Sequence, residues 1–491
     1  MTNEPLLLGI DVGTTSVKGG VYTATGACIF MKSIPYPTQM LAQSGWVEQN
    51  PDDWIACLKK ICAEVQQVIG QDQIAALGLT SQVNTHVFVD GQGVPLRPAI
   101  VWQDTRCTEA AAKLDRAIPD RLRAECWGAE FKPDPSFLMS RAQWLVDARP
   151  DLWEKTRWIL SPKEYCLMQL TGEVAADAIS SIGMVDGEGE YLTKAFGLID
   201  GLAERLPPLK PMDAIVGRVT ADWLPSECSA VVGIMDAWAS LYGSGLSAHG
   251  DAYQVAGTSE VIGVISTDNY GAEGIISFPP LAGWYLHAGP TQMGGAAANW
   301  FAELMEFETI EEVFLRAQVA MSRDNPLIFL PHLMGERAPL WNPQAKGAFL
   351  GMNGDHTMAD LAKATLEGVG HASRLLLQEL EQAAGFSVEA IKLSGGGARS
   401  DLWSQIKADI MNRPIHRLEN IDTGAFGAAL IAGVGTGIYP DLATAGGEAV
   451  NVEQVFIPNS EKRGYYDDLF RFYQEGYQAL ISVHEQFHQL S

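Results

Sequence analysis

LLLGIDVGTTSVKGGVY, Leu6 to Tyr22, is the stretch from which the rest of the chain is read. An apolar run ends at an acid, Asp11. Gly13, Thr14, Thr15 and Ser16 follow, and the pattern turns apolar again through Gly20-Val21-Tyr22. This predicts a strand over 6–10, a tight turn, and a second strand over 20–22. A turn of glycine and threonines gathers backbone N–H groups and hydroxyls in one small concavity, which suits phosphate oxygens. Asp11 is placed either to orient a magnesium ion, mostly through water, or to bond its own turn. Neither GxxxxGK[ST] nor GxGxxG occurs; GVGTG at 433–437 lacks the third glycine.

The pattern recurs. YQVAGTSEVIGVIS, Tyr253 to Ser266, again reads strand, Gly-Thr-Ser turn, strand. Between the copies lies SLYGSGLSAHGD, Ser240 to Asp251, rich in glycine and serine. The expected division is therefore 1–246 and 247–491, two related halves. Other strands are expected over 74–79 and 86–89. A helix is expected over 51–68, with Trp54, Cys57, Leu58, Ile61 and Val65 on one face. Such alternation indicates an α/β architecture. Residues 461–490 repeat aromatics at helical spacing and are expected to form a helix packed over the core.

The 491 residues carry a net charge of −25, which argues against a nucleic-acid partner held through its phosphate backbone. No apolar run reaches the ~20 residues that span a bilayer, so no membrane partner is expected and the chain is read as cytoplasmic. Seven cysteines (Cys28, Cys57, Cys62, Cys107, Cys126, Cys166 and Cys228) form no CxxC pair and read as reduced thiols. The nine histidines show no metal-ligand spacing; His332 and His371 read as packing or hydrogen-bonding residues. Glu336 and Arg337 fit two readings equally, a brace beside the site and a surface ion pair. Asp236 follows the apolar SAVVGIM, where an acid serves either as a helix N-cap or as a carboxylate projecting into a site.

Seven further segments occur in order along nearly the whole chain: GWVEQNPDDW (45–54), RPAIVWQDTR (97–106), VVGIMDAWAS (231–240), FLPHLMGERAPLWNPQAKGAFLGM (329–352), LEGVGHASR (366–374), LSGGGARSDLW (393–403) and GAFGAALIAG (424–433). Together they resemble the FGGY family of carbohydrate kinases, and most closely its xylulokinase-like members. The resemblance implies the actin-like ATPase (ribonuclease H-like) fold, two related domains with a catalytic cleft between them. It implies that Gly13, Thr14, Thr15 and Lys18 belong to a first phosphate loop, with Asp11 its metal-side acid. Gly257, Thr258 and Ser259 resemble a second phosphate loop, and Gly395, Gly396, Gly397 and Ala398 an adenosine loop. Asp236 resembles the catalytic base, with a share in holding Mg2+ through water. Trp102, Asp104 and Arg106, with Gln82, Val83 and Asn84, resemble the sugar region.

This chain departs from the pattern at Gln82-Val83-Asn84-Thr85, where xylulokinases usually carry Gln-Met-His-Gly and glycerol kinases carry Arg-Glu at the two central places. Lys163-Glu164-Tyr165 replaces the usual Lys-Asp-Tyr, a conservative change. The expectation is an ATP- and Mg2+-dependent kinase acting on a hydroxyl of a small ketose or polyol, xylulokinase-like. Its alternatives are a glycerol-, gluconate- or other pentulose-type kinase, and, from another class, a non-catalytic actin-like scaffold. Asp236 argues against the scaffold, which needs no base. A homodimer is left open.

Overall fold

The structure is a computed structural model and describes residues 4–41, 45–69, 73–118, 132–186, 188–221, 223–224, 227–278, 280, 283–320 and 326–490. Two compact units result. One comprises Met1–Gly245 with Thr423–Val450, the other Leu246–Asp422 with Asn451–Ser491.

In the first unit, β1 (Leu6–Val12), β2 (Ser16–Tyr22), β3 (Cys28–Pro35), β4 (Ile74–Ser81), β5 (Ile215–Arg218) and β6 (Ser229–Val231) share a sheet in the order β5-β6-β4-β1-β2-β3, and β7 (Ile234–Met235) also pairs with β4. β1 runs antiparallel to β2 and parallel to β4, with Asp11 across from Lys18 on one side and Thr80 on the other. The opening stretch is thus a hairpin. Its strands are longer than the sequence pattern indicated, and Asp11 sits inside the last turn of pleat rather than beyond it.

Successive residues of a strand face opposite sides, and each side of this sheet has its own helix. On the Ile10 side lies α1 (Pro51–Ile69), burying Trp54, Cys57, Leu58, Ile61 and Val65, the face expected from their spacing. On the Gly9 side lies α7 (Thr423–Gly435), buried from Thr423 through Gly433. It is apolar all round, as a helix covered on every side must be. A Cβ on Gly9 or Gly78 would overlap the carbonyls of Ala425 and Ala428 on α7. Gly427 in turn meets Ala239 on α3 (Asp236–Gly243) in the same way. These glycines set the helix directly on the strand backbones. Residues 423–450 therefore pack with the first unit, not with the second half of the sequence where a linear division put them. The matching surface lies from 180 residues (Gly243 to Thr423) to 416 residues (Gly9 to Ala425) upstream, and no local signal marks it.

In the second unit, β8 (Ala252–Ala256), β9 (Glu260–Ser266), β10 (Ile276–Ser277), β11 (Tyr285–Pro290), β12 (Ile391–Ser394), β13 (Ile415–Leu418) and β14 (Val452–Phe456) form a sheet in the order β10-β11-β9-β8-β12-β13-β14. The β8–β9 hairpin is antiparallel, β8 is parallel to β12, β12 to β13, and β14 closes antiparallel. The first sheet shows the same sequence of senses about β1–β2. The repeat first visible as two Gly-Thr-Ser turns is therefore a repeat of topology, and each unit is an α/β body around a mixed sheet. The helices α4 (Gly295–Leu304), α5 (Met358–Ala384), α6 (Asp401–Met411) and α8 (Arg463–Leu490) belong to this unit. Tyr466, Leu469, Phe470, Tyr473 and Tyr477 of α8 are buried in a cluster with Phe301, Phe329 and Val369, whereas Phe487 stays exposed.

Smaller readings come out as follows. The strand expected over 86–89 is Val87–Val89, with His86 bridging singly to Ile100. No disulfide joins the six described cysteines; Cys126 lies outside the described residues. His332 is buried, bonded to Glu336 and Tyr473. His371 is buried against Phe470 and Tyr473. Glu336 and Arg337 do not pair as either reading required: Glu336 is buried against His332, and Arg337 donates to the Thr291 carbonyl. Among the described residues no helix is long and apolar enough to cross a membrane.

Candidate functional site

The β1–β2 turn is closed by the Gly13 N–H donating to Ser16 O at 3.1 Å. Its carbonyls are held from behind. The Tyr36 hydroxyl donates to Gly13 O, and Gln49 Nε2 (2.8 Å) and Thr38 Oγ1 (3.2 Å) donate to Thr14 O. The N–H groups of Thr14 and Thr15 donate to no acceptor among the described residues. Carbonyls fixed inward and amides left over are the makings of an anion cradle. Tyr36 and Gln49 thus brace the turn from behind. Gln49 lies within a quoted segment, but nothing local says that it reaches Thr14.

Asp236 opens α3 directly after β7, and its Oδ1 accepts the Ala237 N–H at 2.8 Å. Asp236 is not the N-cap: Met235 takes that place, and Asp236 is the first helical residue, partly accessible. Burial raises its pKa to about 7, and the nearby negative charge of Asp11 adds to the rise. Asp11 itself faces the start of α7, where a Cβ on Gly424 would stand 3.0 Å from its Oδ2. Lys18 occupies the cross-strand position opposite Asp11. Two neighbouring carboxylates beside an anion cradle fit a hard divalent cation that keeps most of its water, as Mg2+ does. Among the described residues no cluster of three or more His, Cys, Asp or Glu forms a dedicated metal cage.

The turn after β4 carries Gln82, Val83 and Asn84. The Gln82 N–H bonds Val12 O at 3.0 Å and its Nε2 bonds Gln49 Oε1 at 2.8 Å, while its buried Oε1 has no partner among the described residues. Val83 is partly exposed. Asn84 has φ +54°, a conformation that asparagine tolerates better than most residues, and donates to Ser136 Oγ at 3.3 Å. Trp102 is partly exposed, with its indole N–H on Thr14 Oγ1 at 3.1 Å. The Trp102 loop and the first turn are thus brought together.

Asp104 and Arg106 are placed differently from the expectation. Asp104 accepts from Arg106 N, Nε and Nη2 and from Val47 N, four bonds that fill its acceptor capacity. Arg106 also pairs with Glu48 and stacks on Trp46 at 3.9 Å. Both side chains are shut from solvent, so here they brace the Trp102 loop and offer a ligand nothing. Below Asn84 lies a small cavity lined by His86, Ser161, Glu164, Ser180 and Tyr191. Beside it Lys163 is fully buried between Asp177 (2.9 Å) and Glu164 (3.4 Å). The Lys-Glu pair was read in the sequence as conservative, and its partner Asp177 was not singled out.

In the second unit, the Gly257 N–H bonds Ser259 O at 3.0 Å. The N–H groups of Gly294, Gly295 and Ala296 bond the carbonyls of Thr258 and Gly257 at 2.8–3.0 Å. Again the carbonyls are held, and the N–H groups of Thr258 and Ser259 find no acceptor among the described residues. Gly395 to Ala398 lie against this turn. Gly395 takes φ +85° with Ala256 O beneath it, a position open only to glycine. Among the described residues, no atom beyond its two chain neighbours lies within 4 Å of where a Cβ on Gly396 would stand.

Residues 6–236 match the model of the FGGY family of carbohydrate kinases, N-terminal domain, and residues 252–436 match that of its C-terminal domain. A xylulose kinase of Staphylococcus epidermidis is 28% identical over 96% of this chain and 97% of its own. A glycerol kinase of Citrifermentans bemidjiense is 29% identical over 93% of this chain and 95% of its own. Among solved structures, a ligand-bound xylulose kinase from Lactobacillus acidophilus superposes with a TM-score of 0.85 at 24% identity, covering 98% of this chain and 100% of that one; at this identity the likeness is one of fold.

Proposed function

Since the chain belongs to the FGGY family of carbohydrate kinases, and is thus a phosphotransferase with an alcohol acceptor, we propose that it moves the γ-phosphate of ATP to a hydroxyl of a small ketose or polyol, with Asp236 as general base. The observation that carries this reading is the raised pKa of Asp236, next to Asp11 and in the same unit as a turn with unengaged N–H groups. A base with pKa near the working pH is suited to proton transfer.

In the proposed reaction the acceptor hydroxyl oxygen attacks the γ-phosphorus and passes its proton to Asp236 while ADP departs. In the first unit Thr14 and Thr15 offer amides and hydroxyls suited to phosphate oxygens; in the second unit, taken by itself, Thr258 and Ser259 offer donors of the same kind, and the face at Gly396 suits a nucleoside. Mg2+, held by Asp11 and Asp236 largely through water, would supply charge neutralisation of the phosphates. Asn84, partly exposed on the turn after β4, reads an acceptor hydroxyl.

The acceptor is proposed to be xylulokinase-like in size but not D-xylulose itself. Val83-Asn84 stands where Met-His is usual, and a misplaced hydroxyl in a buried polar site costs ~1–3 kcal/mol. The experiment is ADP release over a panel of D-xylulose, other ketopentoses, glycerol, erythritol and gluconate. A best acceptor other than D-xylulose supports the reading. D-Xylulose at the head of the panel would show that the turn after β4 does not set the choice.

A further inference from the structure

Glu260 directly follows the turn Gly257-Thr258-Ser259, and it is an odd neighbour for a phosphate cradle. Its side chain is wholly buried, packed beneath Gly294, and its Oε2 accepts from Gln254 Nε2 at 2.7 Å and Ser373 Oγ at 2.6 Å. Its Oε1 pairs with Lys407 of α6, also wholly buried. Lys407 lies 5.0 Å from the Trp403 ring centre. From β8, α5 and α6 the groups facing Glu260 are thus Gln254, Ser373 and Lys407, and Lys407 is the one charged group among them. With no exposed surface, the Lys407 ammonium cannot itself touch a phosphate.

A bare carboxylate one residue behind such a turn would repel an anionic ligand, and the dry surroundings would strengthen the repulsion. Yet the carboxylate is useful where it is, because it ties β8 and α5 together under the turn. We infer that Lys407 is a charge-compensating residue for nucleotide binding: it cancels Glu260, so that the turn is held by a carboxylate without presenting its charge to the phosphates. This rests on the nucleotide reading of the Gly257–Ser259 turn. It deepens that reading by assigning a role to two residues that never meet the ligand.

The test is calorimetric binding of ADP and of adenosine under one set of conditions. Lys407→Met should weaken ADP roughly tenfold or more and leave adenosine within about threefold, because adenosine lacks the phosphates. Glu260→Gln in the Lys407→Met background keeps acceptors for Gln254 and Ser373 and removes the stranded charge. It should restore ADP to within about threefold of wild type. This double variant leaves no buried unpaired charge, so poor ADP binding by it overturns the inference even if Lys407→Met fails to fold. Poor ADP binding by the double variant with normal adenosine binding would overturn the inference, because geometry and not charge would then be at stake. Equal weakening of ADP and adenosine by Lys407→Met would overturn it as well. Wild-type protein that binds neither ligand would remove the nucleotide reading itself, and the inference with it.

Discussion

Asp11 and Asp236 are separated by most of the first unit's sequence, yet the charge of one raises the pKa of the other. Asp236 reaches about 7 through burial first and Asp11 second. In the proposed reaction it accepts a proton only when ionised. Activity should therefore fall as pH drops through about 7. Asp11→Asn removes the like charge and should move that limb of the kcat/KM profile to lower pH. A profile flat from pH ~5 to ~8, or a limb that Asp11→Asn leaves in place, would exclude Asp236 as the titrating base.

The same shift has a consequence for stability. A carboxyl whose folded pKa lies above its unfolded value binds its proton more tightly in the native state. Its contribution is most favourable at low pH and is lost as pH rises from the ordinary carboxyl range through about 7. Asp236→Asn should therefore be more heat-resistant than wild type at about pH 8, by roughly 2 °C or more, and should lose this advantage near pH 4. Parallel calorimetric scans at the two pH values check the sign.

Two glycines make an opposed pair. Gly9→Ala drives a methyl into the Ala425 carbonyl across a backbone-to-backbone contact, with no flexible side chain to give way. It should cost several kcal/mol, about 3 or more. Gly396→Ala meets nothing within 4 Å, so the fold should keep its melting temperature while KM for ATP rises roughly tenfold. The two melting curves and one ATP titration distinguish a glycine kept for packing from one kept for a ligand.

How legible was this in the sequence? The two hairpins, α1, the α/β class and the family segments follow from local pattern: period-two strands, an apolar helical stripe and Gly-Thr turns, each decided by neighbours a few residues away. Two things were not local. Helix α7 looks like any alanine-rich helix until Gly9, Gly78 and Gly243 are seen to form its seat. Asp104 looked like a ligand-facing acid because nothing in RPAIVWQDTR shows that Val47 and Arg106 consume its lone pairs. Gln49 and Lys407 were missed for the same reason, since their partners are 35 and 147 residues away.

The acceptor preference should therefore respond to Asn84 more than to Asp104. Asn84→His should reorder the panel of acceptors, shifting kcat/KM ratios roughly fivefold or more, with ATP affinity unchanged. Asp104→Asn, which takes one of its two carboxylate partners from the buried Arg106, should lower thermal stability while leaving the order of acceptors as it was. A reordered panel with Asp104→Asn and an unmoved one with Asn84→His would invert the assignment.

The most direct measurement is a single-turnover assay of labelled γ-phosphate transfer, with the best acceptor of the panel, in wild type and Asp236→Asn. Wild type should form one sugar phosphate for each ADP. Asp236→Asn should bind ATP with similar affinity and transfer ~10²–10⁴ times more slowly. Transfer at a third or more of the wild-type rate in a folded Asp236→Asn protein would contradict the account.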